Sequence, residues 1–130
     1  MSIHKPTYKK LSEEIINLLK LKKVDEIEKI INEIHPADIA DILEILNEKD
    51  NDKLKEIIEN KKYAEAIIEL DENVKNIFLS KFSADTIAND LINQLESDDA
   101  VDIILELKDD KKEKVLSRIK NQSVLRNITN

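Results

Sequence analysis

The chain has 130 residues, enough for one domain with a buried core, and 38% of them are charged, for a net charge of −7. It contains no glycine, no cysteine, two prolines and few aromatic residues. This composition excludes disulfides, thiolate catalysis and zinc–thiolate sites, leaves no glycine-rich loop to cradle a phosphate, and offers a nucleic acid no basic surface.

Helices are the natural outcome, since sheets with tight turns need glycine and β-formers. No apolar run approaches the ~20 residues that cross a bilayer. Met1–Lys10 (residues 1–10) is polar, lacks the apolar stretch of a signal peptide and is read as a leader, with one domain over residues 11–130. A soluble, cytoplasmic piece without membrane insertion is expected.

Ser12 is read as an N-cap, followed by Ile15, Ile16, Leu18, Leu19 and Leu21. Val24, Ile27, Ile30, Ile31 and Ile34 mark the next helix. The stretch His35 to Leu46 reads most clearly. Pro36 suits a first helical turn, Asp38 lies near the positive N-terminal end, and Ile39, Ile42, Leu43 and Leu46 form one apolar stripe. A helix with Leu54, Ile57 and Ile58 follows, then Asn60–Leu70 with Tyr63, Ala64, Ile67 and Ile68. Val74, Ile77, Phe78 and Phe82 mark a helix entered through Asp71. Ala84–Leu95, Ser97–Leu107 and Asp110–Ile119 complete the series. Val124, Leu125 and Ile128 in the tail add one turn or fray.

These helices are copies of one template. Asp99, Asp102, Ile103, Ile104 and Leu107 fall on the positions of Asp38, Asp41, Ile42, Leu43 and Leu46. Ala64, Glu65 and Leu70 match Ala40, Asp41 and Leu46. At Ala84–Leu95 one extra residue, Asp90, breaks the match. Asp41, Glu65 and Asn89 stand 24 residues apart, so two helices of about 12 residues make one repeat, and helices that short must bury their stripes against neighbours. The expected fold is all-α, a right-handed superhelix (solenoid) of helical-pair repeats. Short polar links are expected to cap the helices through side chains.

Asp98 and Asp102 are four apart, hence on one helix face, where like charges repel. Oxygen ligands so placed suit a divalent cation, while a helix cap and a solvated acid satisfy the same spacing. Glu65 shares the repeat position of Asp41 and Asp102, so stacked repeats give an acidic ridge or simply a solvated face. His35 is read as structural, at a helix start. Tyr63, Phe78 and Phe82 are read as core. No catalytic constellation is present, and the chain is read as no enzyme.

The His35-Pro36-Ala37-Asp38 helix, together with Ala64-Glu65-Ala66-Ile67 and Ser97-Asp98-Asp99-Ala100-Val101-Asp102, resembles the N-terminal cytoplasmic domain of MgtE-type magnesium transporters. The resemblance spans roughly Leu18 to Ile119. It implies an acidic helical superhelix on the cytoplasmic side of the membrane. A CBS domain pair and a transmembrane domain of the same transporter, a homodimer, would be its partners. Bridging Mg2+ would dock it onto the acidic CBS pair, bound only weakly by the isolated domain. The implied metal-facing acids are Glu65, Asp98 and Asp102, with Asp99 a weaker neighbour. Here the junctions Leu46-Asn47, Leu70-Asp71 and Leu95-Glu96 lack the family's proline, and the 130 residues reach no CBS or membrane segment, as expected of a fragment of a longer transporter or of a free-standing relative. The middle region of the flagellar motor switch protein FliG is also similar, which implies a metal-free adaptor. The paired acids and general acidity favour the transporter.

Overall fold

A glycine-free chain needs a way to turn between helices without left-handed backbone. The computed structural model, which describes residues 4–120 and 122–129, shows how this one does it. Helix after helix ends on an apolar residue with extended backbone: Ile34, Leu46, Ile58, Phe82, Leu95 and Leu107 have ψ between 137° and 161°. The following residue is the next N-cap. Leu46, Ile58, Leu95 and Leu107 are buried, so each link also supplies a core side chain.

The elements are α1 (His4–Lys20), α2 (Val24–Glu33), α3 (Pro36–Ile45), α4 (Glu48–Ile57), α5 (Asn60–Ile68) and α6 (Glu72–Lys81). The short α7 (Ala84–Thr86) continues into a π-helical turn (Ile87–Leu91) and a 3-10 turn (Ile92–Gln94). Then come α8 (Ser97–Glu106), α9 (Asp109–Leu116) and α10 (Gln122–Thr129). No strand occurs among the described residues, and no helix is long and apolar enough to cross a membrane.

The link residues beat a regular time. Ile34, Leu46, Ile58, Leu70 and Phe82 are twelve apart, and so are Leu95, Leu107 and Ile119. Only Phe82 to Leu95 takes thirteen, and the π-helical turn lies within that interval. A π turn holds one more residue per hydrogen-bonded ring than an α turn, so it absorbs an insertion. If Asp90 is set aside, Ile87, Ala88, Leu91, Ile92 and Leu95 fall on the positions of Ile39, Ala40, Ile42, Leu43 and Leu46, and all ten residues are buried.

The helices form two compact units, Met1–Leu70 and Asp71–Asn130. In the first, α1 packs on α2, α3 and α4, α2 on α4, and α3 on α5. Ile15, Ile27, Ile39, Ile42, Leu54 and Ile67 are fully buried there. In the second, α9 packs on α7, the π turn and α8, and α8 on α10, around Ile87, Leu91, Ile92, Ile103 and Ile104. Lys111 of α9 donates from Nζ to the carbonyls of Leu79, Ser80 and Phe82 at 3.3, 3.0 and 2.8 Å. These are carbonyls at the C-terminal end of α6, which no α-helical N–H reaches and which a cation satisfies.

Six expectations need correction. Ser12 is no N-cap: α1 begins at His4, runs through it, and buries a hydroxyl with no hydrogen-bond partner among the described residues. Ala84–Leu95 is not one regular helix. Ile77 is 53% exposed, and Leu79 takes the buried position on α6 instead. Leu21 and Val24 lie outside the core as well. Side-chain capping is sparser than expected. Asn47 Oδ1 accepts from the Asp50 N–H at 2.8 Å and Ser83 Oγ from the Thr86 N–H at 3.1 Å, but Lys23, Glu59, Glu96 and Lys108 give no such bond. The tail is more than a frayed turn: α10 buries Val124.

Candidate functional site

The acids singled out by their repeat position lie on helices whose opposite faces are core. α3 places Asp41 beside Ile42 and Leu43, which hold that helix against its neighbours. His35 stands at its N-cap and Pro36 at its first turn. The Asp38 carboxylate reaches back to accept from the His35 N–H at 3.3 Å, which ties the His35 backbone into the start of α3.

On α5, Tyr63, Ala64, Ala66 and Ile67 are buried, which leaves Glu65 half-buried at the edge of the stripe. It lines a surface cleft of about 460 Å³ with Glu33, His35, Glu59, Lys61 and Lys62. Sequence reading missed Glu59 and Glu33. The twelve-residue interval was the available signal for Glu59, because it occupies the N-cap position held one period earlier by Asn47. Tyr63 is held protonated well above the usual tyrosine range, first by burial and then by the charge of Asp52.

On α8 the buried positions are Ala100, Ile103 and Ile104. Asp98 and Asp102 therefore face away from the core, both exposed and one turn apart, and Asp99 is half-buried in the first turn. The N-cap is Glu96, so Asp98 is not the cap. The helix N-terminus favours Asp98 and Asp99, and Asp102 sits beyond most of that benefit. Glu65, Asp98 and Asp102 make no side-chain hydrogen bond or ion pair with the described residues.

Glu65 belongs to the first unit, and Asp98 and Asp102 to the second. Among the described residues no three His, Cys, Asp or Glu side chains converge to hold a metal ion. What the structure brings together is the α8 pair. Two carboxylates one turn apart supply oxygen ligands that fit Mg2+, which keeps several waters and takes only one or two protein carboxylates from any one surface.

Comparison with protein families matches residues 34–126 to the model of the MgtE intracellular N domain. Among solved structures, the chain is similar to one described as the crystal structure of the soluble part of a magnesium transporter. The TM-score is 0.81 at 20% identity, over 93% of this chain and 49% of that one. The likeness establishes a shared fold, and the chain spans about half the length of that structure. Comparison with curated proteins gives no match.

Proposed function

The chain belongs to the MgtE intracellular N domain family, and from that premise we propose that it is the magnesium-sensing regulatory domain of a magnesium transporter. On this reading it sits on the cytoplasmic side of the membrane and gates transport without catalysing a reaction. Residues 11–130 act as one docking domain. The helical pairs continue as a right-handed superhelix. Packing between helices two apart supports that path, as in α1 on α3, α2 on α4, α3 on α5, α7 on α9 and α8 on α10.

The mechanism is an electrostatic latch. At low magnesium, the acidic surface of this domain repels an acidic partner domain of the same transporter, read as its CBS pair, in a homodimeric parent. At high magnesium, Glu65, Asp98 and Asp102 would supply carboxylate oxygens to ions shared with the partner, and the two surfaces dock. Magnesium supplies charge neutralisation and directed coordination. This chain's residues place the oxygens and keep them free. The single observation that carries the reading is that these three carboxylates have no side-chain partner among the described residues. Each unit holds only part of a ligand set, so the isolated domain should bind magnesium weakly.

The experiment that tests the latch titrates the docking of this domain in the parent transporter with magnesium chloride and with sodium chloride at equal ionic strength. Inner-shell bridging predicts docking with magnesium, reversal by chelator and little effect of sodium. Equal action of both salts would reduce the effect to screening and contradict the latch.

A further inference from the structure

The turn between α1 and α2 breaks two rules of helix termination at once. Its hydrogen bonds are those of a Schellman motif: the Lys22 N–H donates to the Leu19 carbonyl at 3.1 Å and the Lys23 N–H to the Leu18 carbonyl at 3.0 Å. The first of these two donors, just past the end of the helix, must be left-handed in this motif, a place for glycine. Lys22 occupies it, at φ 57°, the only positive φ among the described residues. The neighbouring position belongs to Leu21, 56% exposed, and Val24 follows at 40%. A stable monomer gains nothing from a strained lysine and a protruding leucine in one tight turn. Local rules broken together point to function.

The surroundings say what kind. Lys20, Lys22 and Lys53 are exposed and form no ion pair with the described residues, whereas Lys23 is drawn to Glu26 at 4.0 Å. Beside the turn, Leu19, Val24, Ile27 and Ile57, with Lys22 and Lys53, line an apolar groove of about 290 Å³. In a chain of net charge −7, this is a basic rim around apolar side chains. We propose that the α1–α2 turn docks onto an anionic lipid surface, with Leu21 and Val24 among the headgroups and Lys20, Lys22 and Lys53 against lipid phosphates. The combination of apolar burial and lysine attraction is what holds peripheral segments at such a surface. Acids farther than about 8 Å are screened at physiological ionic strength; of the nearer ones, Glu26 is drawn to Lys23, while Asp25, Asp52 and Glu56 oppose the contact and Lys20, Lys22 and Lys53 must outweigh them. The contact is interfacial, spans nothing, and stands whether or not the chain senses magnesium.

The test is co-sedimentation of the 130-residue chain with vesicles of phosphatidylcholine alone or mixed with phosphatidylglycerol. Chelator is present, so that no divalent ion bridges the acids to lipid. Binding is expected to the anionic vesicles only and to weaken with salt. Lys20→Gln and Lys53→Gln should each reduce partitioning about fivefold. Leu21→Ser should reduce it with the helix content unchanged. Lys22→Gly separates the roles: relief of the left-handed strain should raise the melting temperature while binding falls. Equal binding to both vesicle types, or unchanged binding in the lysine variants, would overturn the proposal. So would no binding to any vesicle, which would leave the patch to an acidic protein surface.

Discussion

Asp102 is the residue on which a functional and a structural reading part. It lies inside α8, past the first turn, with no side-chain partner among the described residues and Asp98 one turn before it. A structural acid has a bond to lose, and Asp102→Asn would then cost about 1 kcal/mol or more. An acid kept for metal only repels its neighbour, so the variant should be neutral or more stable by about 0.2–0.5 kcal/mol in chelator. Urea melts of both proteins decide it. Tyr63 offers a second check, on packing rather than function. Its phenol stays protonated in the fold above the range where an unfolded tyrosine ionises. The stability tied to the neutral phenol is complete below about pH 10 and is lost as pH rises further, at about 1.4 kcal/mol per unit. Melts at pH 9 and pH 11 should therefore show a smaller alkaline loss for Tyr63→Phe than for the natural chain.

At the scale of elements, period and template were legible because each helix repeats the same choices. Ile42, Leu43 and Leu46 recur as Ile103, Ile104 and Leu107, and all six are buried. What could not be read was how the chain spends the extra residue Asp90. Spacing shows an insertion but not whether a loop, a kink or a π turn takes it up, because that depends on which side chains the neighbouring helices must still reach. Keeping Ile87, Ala88, Leu91 and Ile92 buried together is what the π turn achieves. Deleting Asp90 should therefore be tolerated, with a cooperative thermal melt by circular dichroism. Deleting Ala40 has no such remedy: it rotates Ile42, Leu43 and Leu46 by about 100° around α3 and should unfold the first unit. Similar damage from both deletions would show that the π turn is not an absorbed insertion. Ile77 and Ser12 were misread for a related reason. Apolar spacing on α6 fits two faces equally, and a serine before an apolar run looks the same at a helix start and in its middle.

The molecule as a whole is an acidic, glycine-free chain of short helices repeating about every twelve residues, and on the proposed reading its acidic surface serves ions and a partner domain. The family match puts the chain in the MgtE intracellular N domain family and the structural likeness shows a shared fold; magnesium sensing, gating and the three candidate acids are what the proposal adds. Their legibility was uneven. The α8 pair shows in the sequence as an i, i+4 spacing, whereas Glu65 needed the repeat register, and the cleft it shares with Glu33 and Glu59 needed the packed helices. The most direct measurement follows protection of the parent transporter from protease as magnesium is raised, for the natural chain, for Asp98→Asn and for Asp102→Asn. The latch predicts that both substitutions move the midpoint to higher magnesium while full protection is still reached. An unchanged midpoint in both would contradict it.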